Sequence, residues 1–213
     1  MSTFALVGPV SPNLTHFSQH DFDEVVAVDG GYQHLVDAGL TCDFCVGDFD
    51  SLGYVPADVP QVRLPTHKDQ TDTEEALCYC MSKGADEVYV NGTLGGRIDH
   101  TLAFLQLLGE FGARGLRVTA LGDDQAIIPL WGEGRRQVVV KGEPQGTFSL
   151  LALSDVVAGV WEEGVEYELE DAQLFNACPL GISNEFLGKP ARIALSRGSA
   201  LLFVPLHVLG SVS

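Results

Sequence analysis

Positive charge is scarce in this chain. Twelve lysines and arginines face 29 aspartates and glutamates, for a formal net charge of −17. A surface this acidic repels phosphate backbones and anionic lipid, so nucleic acid and membrane are not expected partners; cationic small molecules and divalent metals are. No Lys or Arg precedes Arg63, so the N-terminal stretch lacks the basic region of a secretory signal and the arginines of a transit peptide. Long apolar runs are also missing. The longest, Ala200 to Leu209, is broken by Pro205 and His207 and is too short to span a bilayer. There are only two methionines, which leaves no Met-rich face to explain. Five cysteines are an odd number, and free thiols in a reducing cytoplasm are the simplest expectation. The pattern Gly-x-x-x-x-Gly-Lys-Ser/Thr does not occur, which excludes a P-loop.

What is present is a 213-residue chain able to bury a core in one large domain or two small ones. Short apolar runs at Phe4–Val7, Val25–Val28, Phe44–Val46, Val88–Val90 and Leu116–Leu121 read as buried strands. Helical spacing falls between them at Tyr32–Ala38, Asp72–Ser82 and Asp99–Phe111, with Thr71 and Glu74 placed as a capping box. Alternation of buried strands with helices predicts an α/β domain with a largely parallel sheet. After about Leu130 the helical periodicity ends. Runs at Gln137–Lys141, Thr147–Leu153, Val165–Leu169, Ala191–Leu195 and Ala200–Val204 predict a smaller antiparallel β-sandwich or roll. The expected division is residues 1–129 and 130–213, near Pro129.

Carboxylates cluster at the predicted strand ends and helix starts, where ligands gather in such sheets. Asp29 follows one strand, and Asp48 and Asp50 follow another, sharing a face if that segment is extended. Asp69 and Asp72 stand at one helix entrance and Asp99 at the next. Two carboxylates about 5 Å apart at an effective dielectric of about 20 repel by roughly 3 kcal/mol. Such a set must protonate, spread or hold a metal, and its hard oxygens suit Mg²⁺. Gly95-Gly96-Arg97-Ile98-Asp99-His100 lies between a strand and a helix, where glycines admit close backbone approach and Arg97 can fork onto phosphate. Lys68 is a second cationic candidate. Each residue also has a plain structural reading: aspartates favour turns and helix starts, and His100 in a first helical turn can be structural. Cys42 and Cys45 have the spacing of half a zinc site, but Cys78 and Cys80 are poorly spaced for the other half.

Taken together, Asp29-Gly30-Gly31, Gly47-Asp48-Phe49-Asp50-Ser51, Lys68-Asp69-Gln70-Thr71-Asp72, Gly95 to His100 and Gly181-Ile182-Ser183-Asn184-Glu185-Phe186 resemble the thiamin pyrophosphokinase family, in its order and over nearly the whole chain. The resemblance implies an N-terminal α/β domain, a C-terminal β domain and Mg²⁺-dependent transfer of diphosphate from ATP to the hydroxyl of thiamin, giving AMP and thiamin diphosphate. It implies that Asp48, Asp50 and Asp72 hold Mg²⁺, with Asp69, Asp99 and Asp29 close by. Arg97, Lys68 and the Gly95 and Gly96 amides would steady the phosphates, beside Asp29-Gly30. Asp72 and Asp99 are the candidate bases. Ser183 and Asn184 would contact thiamin, and Phe203 would stack on its pyrimidine, although a core role for Phe203 is also open. Family members are typically homodimers with thiamin bound where the subunits meet. Cys42 departs from a common proline, and Phe104 from a common asparagine on the nucleotide side. Two other readings stay open: a pyrophosphokinase for another alcohol such as a pterin, and a non-catalytic nucleotide or thiamin sensor.

Overall fold

In the computed structural model every residue is described except Thr66, His67 and Lys68, together with the side chains of His16, Ser18 and Gln19. The chain forms two units. The first comprises Met1–Leu107 and Leu116–Asp123, and the second Leu108–Gly115 and Asp124–Ser213.

In the first unit, β1 (Thr3–Val7) and β2 (Glu24–Val28) are buried at every position after the first, as strands covered on both faces must be. They are joined by β3 (Phe44–Gly47), β4 (Gln61–Arg63), β5 (Glu87–Asn91) and β6 (Arg117–Leu121) in a sheet of order β6-β5-β1-β2-β3-β4, every pair parallel. The helices are α1 (Gly31–Asp37), α2 (Asp72–Ser82) and the start of α3 (Ile98–Ala113). Strand order runs one way from β1 to β4, then returns to place β5 on the other side of β1. The reversal at β1 and β5 is the topological switch point, where loops part and a crevice opens. Thr71 caps α2, its Oγ1 accepting from the Glu74 amide at 3.2 Å.

The second unit holds two antiparallel sheets. One has the order β12-β9-β14-β7, from β7 (Gln125–Trp131), β9 (Thr147–Ala152), β12 (Asn184–Glu185) and β14 (Ser199–Pro205). The other has the order β11-β10-β13-β8, from β8 (Gln137–Val140), β10 (Val156–Glu163), β11 (Leu169–Phe175) and β13 (Ala191–Ala194). Of the expected strand at Val165–Leu169, residues 165–168 instead form the turn between β10 and β11, and Leu169 opens β11. Gly164 there has φ +77, its amide is bonded to Glu168 Oε1, and Val165 makes only an isolated bridge to Phe186. Strand β10 escapes sequence patterning because the charged Glu162 and the bulge-forming Gly159 interrupt its alternation. No helix is long and apolar enough, among the described residues, to cross a membrane.

Candidate active site

The end of β2 and the end of β3 are built around one carboxylate. Asp29 adopts a left-handed backbone, φ 46, and its amide donates to Val46 O. Gly30 and Gly31 then start α1; a Cβ on Gly31 would lie 1.9 Å from Val7 O, so only glycine permits the turn. Gly47 serves the same purpose on β3, where a Cβ would lie 1.9 Å from Asp29 Oδ1. Asp29 Oδ1 accepts from the Phe49 amide at 3.2 Å. Phe49 is buried in a cluster with Val25, Ala27 and Leu35. Its φ of 62 and the Asp50 amide donating to Asp48 Oδ1 at 3.0 Å make Asp48-Phe49-Asp50 a tight turn, not the extended segment expected.

Asp72, the first residue of α2, hydrogen-bonds the Asp29 carboxyl, and Asp48 is near enough to repel it. Burial, then the Asp72 charge, then Asp48 push the Asp29 pKa up to about 6, against the opposing Phe49 amide. Asp29 and Asp72, 43 residues apart in the chain, are therefore in contact, with the Asp48 charge close enough to act on Asp29. Asp50 and Asp69 are exposed nearby in sequence, while Lys68 falls outside the described residues. Asp99 has other company. Its oxygens take a fork from Arg97, at 2.6 Å to Nη2 and 3.2 Å to Nε, which lowers the Asp99 pKa. Among the described residues no three His, Cys, Asp or Glu side chains form a preassembled metal cage. The donor set nonetheless fits a hard cation: Asp29 and Asp72 share a contact that requires a proton or a cation between them, and Asp48 and Asp50 supply further oxygens.

Beside these carboxylates the glycine loop follows β5 at the switch point. Gly95 and Gly96 have φ of 89 and 64 and are exposed. The Gly95 amide donates to Thr101 Oγ1 at 3.1 Å, a bond that folds the loop. The loop after β1 lies against it. Gly8 N donates to Asn91 O and Val10 N to Gly92 O, while Asn13 and Asn91 pair through side chain and backbone. Val10 side-chain carbons stand within 4 Å of where Gly95 and Gly96 would carry a Cβ. A crevice of about 70 Å³ here is lined by Val10, Thr93, His100 and Phe104. Thr93 Oγ1 is buried without a hydrogen-bond partner among the described residues. Val10 and Thr93 were not singled out from sequence; an apolar residue and a threonine in loops carry no local signal of a shared crevice.

In the second unit, Ser183 and Phe203 come together through a residue that sequence reading missed. Phe203 on β14 is half-buried and pairs with Ser149 on β9. Ser149 Oγ accepts from the Ser183 amide at 3.1 Å, and Ser183 is exposed with φ 59. Asn184 is a different case. It is 4% exposed, and its carboxamide is fully used: Oδ1 accepts from the Tyr167 and Glu185 amides, and Nδ2 donates to Glu162 Oε2 and Tyr167 O. Asn184 thus ties the two sheets of this unit together, next in sequence to the exposed Ser183.

Two family models match, "Thiamin pyrophosphokinase, catalytic domain" over residues 18–120 and "Thiamin pyrophosphokinase, vitamin B1 binding domain" over residues 136–199. The thiamine pyrophosphokinase of Bacillus subtilis is 26% identical over 197 residues, covering 90% of this chain and 91% of that protein. Its crystal structure superposes with a TM-score of 0.82 at 24% identity, covering 96% and 99% of the two chains. Yeast thiamin pyrophosphokinase, at 13% identity, still gives a TM-score of 0.75 over 97% and 87%, a likeness of fold. Fold and matches define the class as an ATP-dependent diphosphotransferase with an α/β unit and a β unit. More particularly, the chain belongs to the thiamin pyrophosphokinase family, whose reaction moves diphosphate from ATP to thiamin.

Proposed function

We propose that this chain carries out the family reaction with Mg²⁺ held by Asp48, Asp50 and Asp72, and Asp29 beside them. The observation that carries this assignment is the contact of Asp29 with Asp72, within range of the Asp48 charge, at the mouth of a parallel sheet whose switch point carries the glycine loop. When bound, the ion offsets the charge of the ATP phosphates. The chain's own groups do the rest. Arg97, with Lys68 and the Gly96 amide, binds phosphate oxygens, and the guanidinium is held ready by Asp99. The Val10–Phe104 crevice receives the nucleotide side. Ser183 and Phe203 orient thiamin, whose cationic ring suits a chain of net charge −17. The thiamin hydroxyl oxygen forms a bond to the β-phosphorus as the bond from that phosphorus to the bridging oxygen breaks, and AMP leaves with the bridging oxygen. The hydroxyl proton passes to a carboxylate. Asp72 and Asp99 are the candidate acceptors, the latter held in the Arg97 fork.

The working state in this reading is a homodimer in the cytoplasm, a setting that suits five free cysteines; light scattering tests the first point. Purified protein mixed with ATP, Mg²⁺ and thiamin should release AMP and thiamin diphosphate in equal amounts. Asp48→Ala and Asp50→Ala should each slow turnover by about 10²-fold or more with the fold intact. Absence of both products from the wild type refutes the assignment. Full activity in both variants places the metal elsewhere.

A further inference from the structure

A cavity of about 500 Å³ opens in the second unit and shares no residue with the Ser149, Ser183 and Phe203 patch. It lies among β8, β10, β13 and the turn before β8. Three of the chain's twelve basic residues line it: Arg135, Arg136 and Arg192. No carboxylate is among its lining residues. Arg192 is fixed from the side, its Nε donating to Gln137 Oε1 at 3.0 Å and its Nη1 pairing with Glu163 at 2.9 Å. Arg136 is exposed. Three guanidiniums line the cavity and no carboxylate does, with Glu163 paired to Arg192 at its side, a local concentration of positive charge in a molecule of net charge −17. Trp161, on β10 opposite Ala194, adds an aromatic side chain to the wall. The wall is specifically shaped: Gly159, at a bulge of β10 with φ +64, stands where a Cβ would lie 2.4 Å from Ser196 Oγ.

Guanidinium forks match phosphate oxygens, an indole offers a stacking surface for a flat ring, and the volume is that of a small-molecule site. We propose that this cavity is a second ligand site, distinct from the carboxylate and glycine site of the first unit, and that it takes a phosphate-bearing molecule with a flat ring, of the nucleoside monophosphate class. Thiamin, being cationic, is excluded. AMP, the product released in the proposed transfer, has the required chemistry; the site itself stands whether or not that transfer is the activity.

The test is isothermal titration calorimetry on the intact protein with AMP, and separately with inorganic pyrophosphate, in chelator-containing buffer. Both probes should bind the wild type in the submillimolar range. Arg136→Glu, a change at an exposed position, should weaken both by about tenfold or more, the loss expected for a charge-assisted contact. Trp161→Leu should weaken AMP at this site and leave pyrophosphate unchanged, and the Arg136-dependent part of the binding of both probes should persist in Arg97→Gln, whatever that change does at the first-unit site. Thermal melts check that each variant is folded. The proposal is overturned if AMP gives no heat at millimolar concentration, or if its binding is lost in Arg97→Gln and retained in Arg136→Glu.

Discussion

Glu162 allows the strength of the tie between the two sheets of the second unit to be measured through pH. The residue is 1% exposed, Oε2 accepts from Asn184 Nδ2 at 2.5 Å, and Oε1 has no hydrogen-bond partner among the described residues. Burial pushes its pKa from 4.5 up to about 7, against the smaller opposing pull of the Asn184 N–H. An acid whose pKa is higher folded than unfolded holds its proton more tightly when folded. Its contribution to stability is therefore complete below pH 4.5, falls as pH rises from there, and is gone once pH has passed about 7. The gap corresponds to about 3 kcal/mol at most. For a chain of this length that is a shift of roughly 6–12 °C in Tm. Glu162→Gln keeps the shape and the acceptor for Asn184 but cannot ionise. Thermal unfolding followed by circular dichroism from pH 5 to pH 8.5 should show the wild type losing stability across this window more steeply than the variant, the two curves diverging toward high pH. Surface carboxylates contribute equally to both curves and cancel in the difference. Parallel curves would refute the claim that a buried, ionisable Glu162 sits in this tie.

Other expectations follow from single contacts. Gly47→Ala should displace the Asp29 carboxylate, since the new Cβ would lie 1.9 Å from Oδ1, and should lower kcat by about 10²-fold with the chain still folded; steady-state assays with a melt as control check this. Phe203→Ala should raise the KM for thiamin by about tenfold through lost stacking and leave the KM for ATP unchanged. Thr93→Val removes a buried hydroxyl that has no partner among the described residues. It should leave Tm unchanged or slightly raised and should raise the KM for ATP, the combination expected if Thr93 Oγ1 bonds the nucleotide.

Much of the architecture was legible in the chain. The helix over Asp72–Ser82 follows directly from the Thr71 cap and its apolar spacing. The buried runs around Leu6, Val26 and Val90 could only be strands covered on both faces. What was illegible had a common cause. Val165–Leu169 carries β-prone residues, yet Gly164 and the Glu168 side chain turn all but Leu169 into a loop, while Val156–Glu163 pairs as a strand despite a buried glutamate. Asn184 reads as a polar residue in a substrate motif, but its partners Glu162 and Tyr167 lie 22 and 17 residues away. The Gly95 amide is bonded to Thr101, six residues on, a contact that no local pattern announces.

Local pattern alone was enough to determine the alternation of the main buried strands with helices in the first unit, the acidic character of the chain and the placing of aspartates at strand ends, because burial periodicity and backbone propensity act over a few residues. Tertiary structure alone decided that Asp29 meets Asp72 while Asp99 turns to Arg97, that Ser149 joins Ser183 and Phe203, and that three arginines surround one cavity. Those outcomes depend on which side chains from distant segments satisfy one another's charges and hydrogen bonds, and that is settled only when the sheets have assembled.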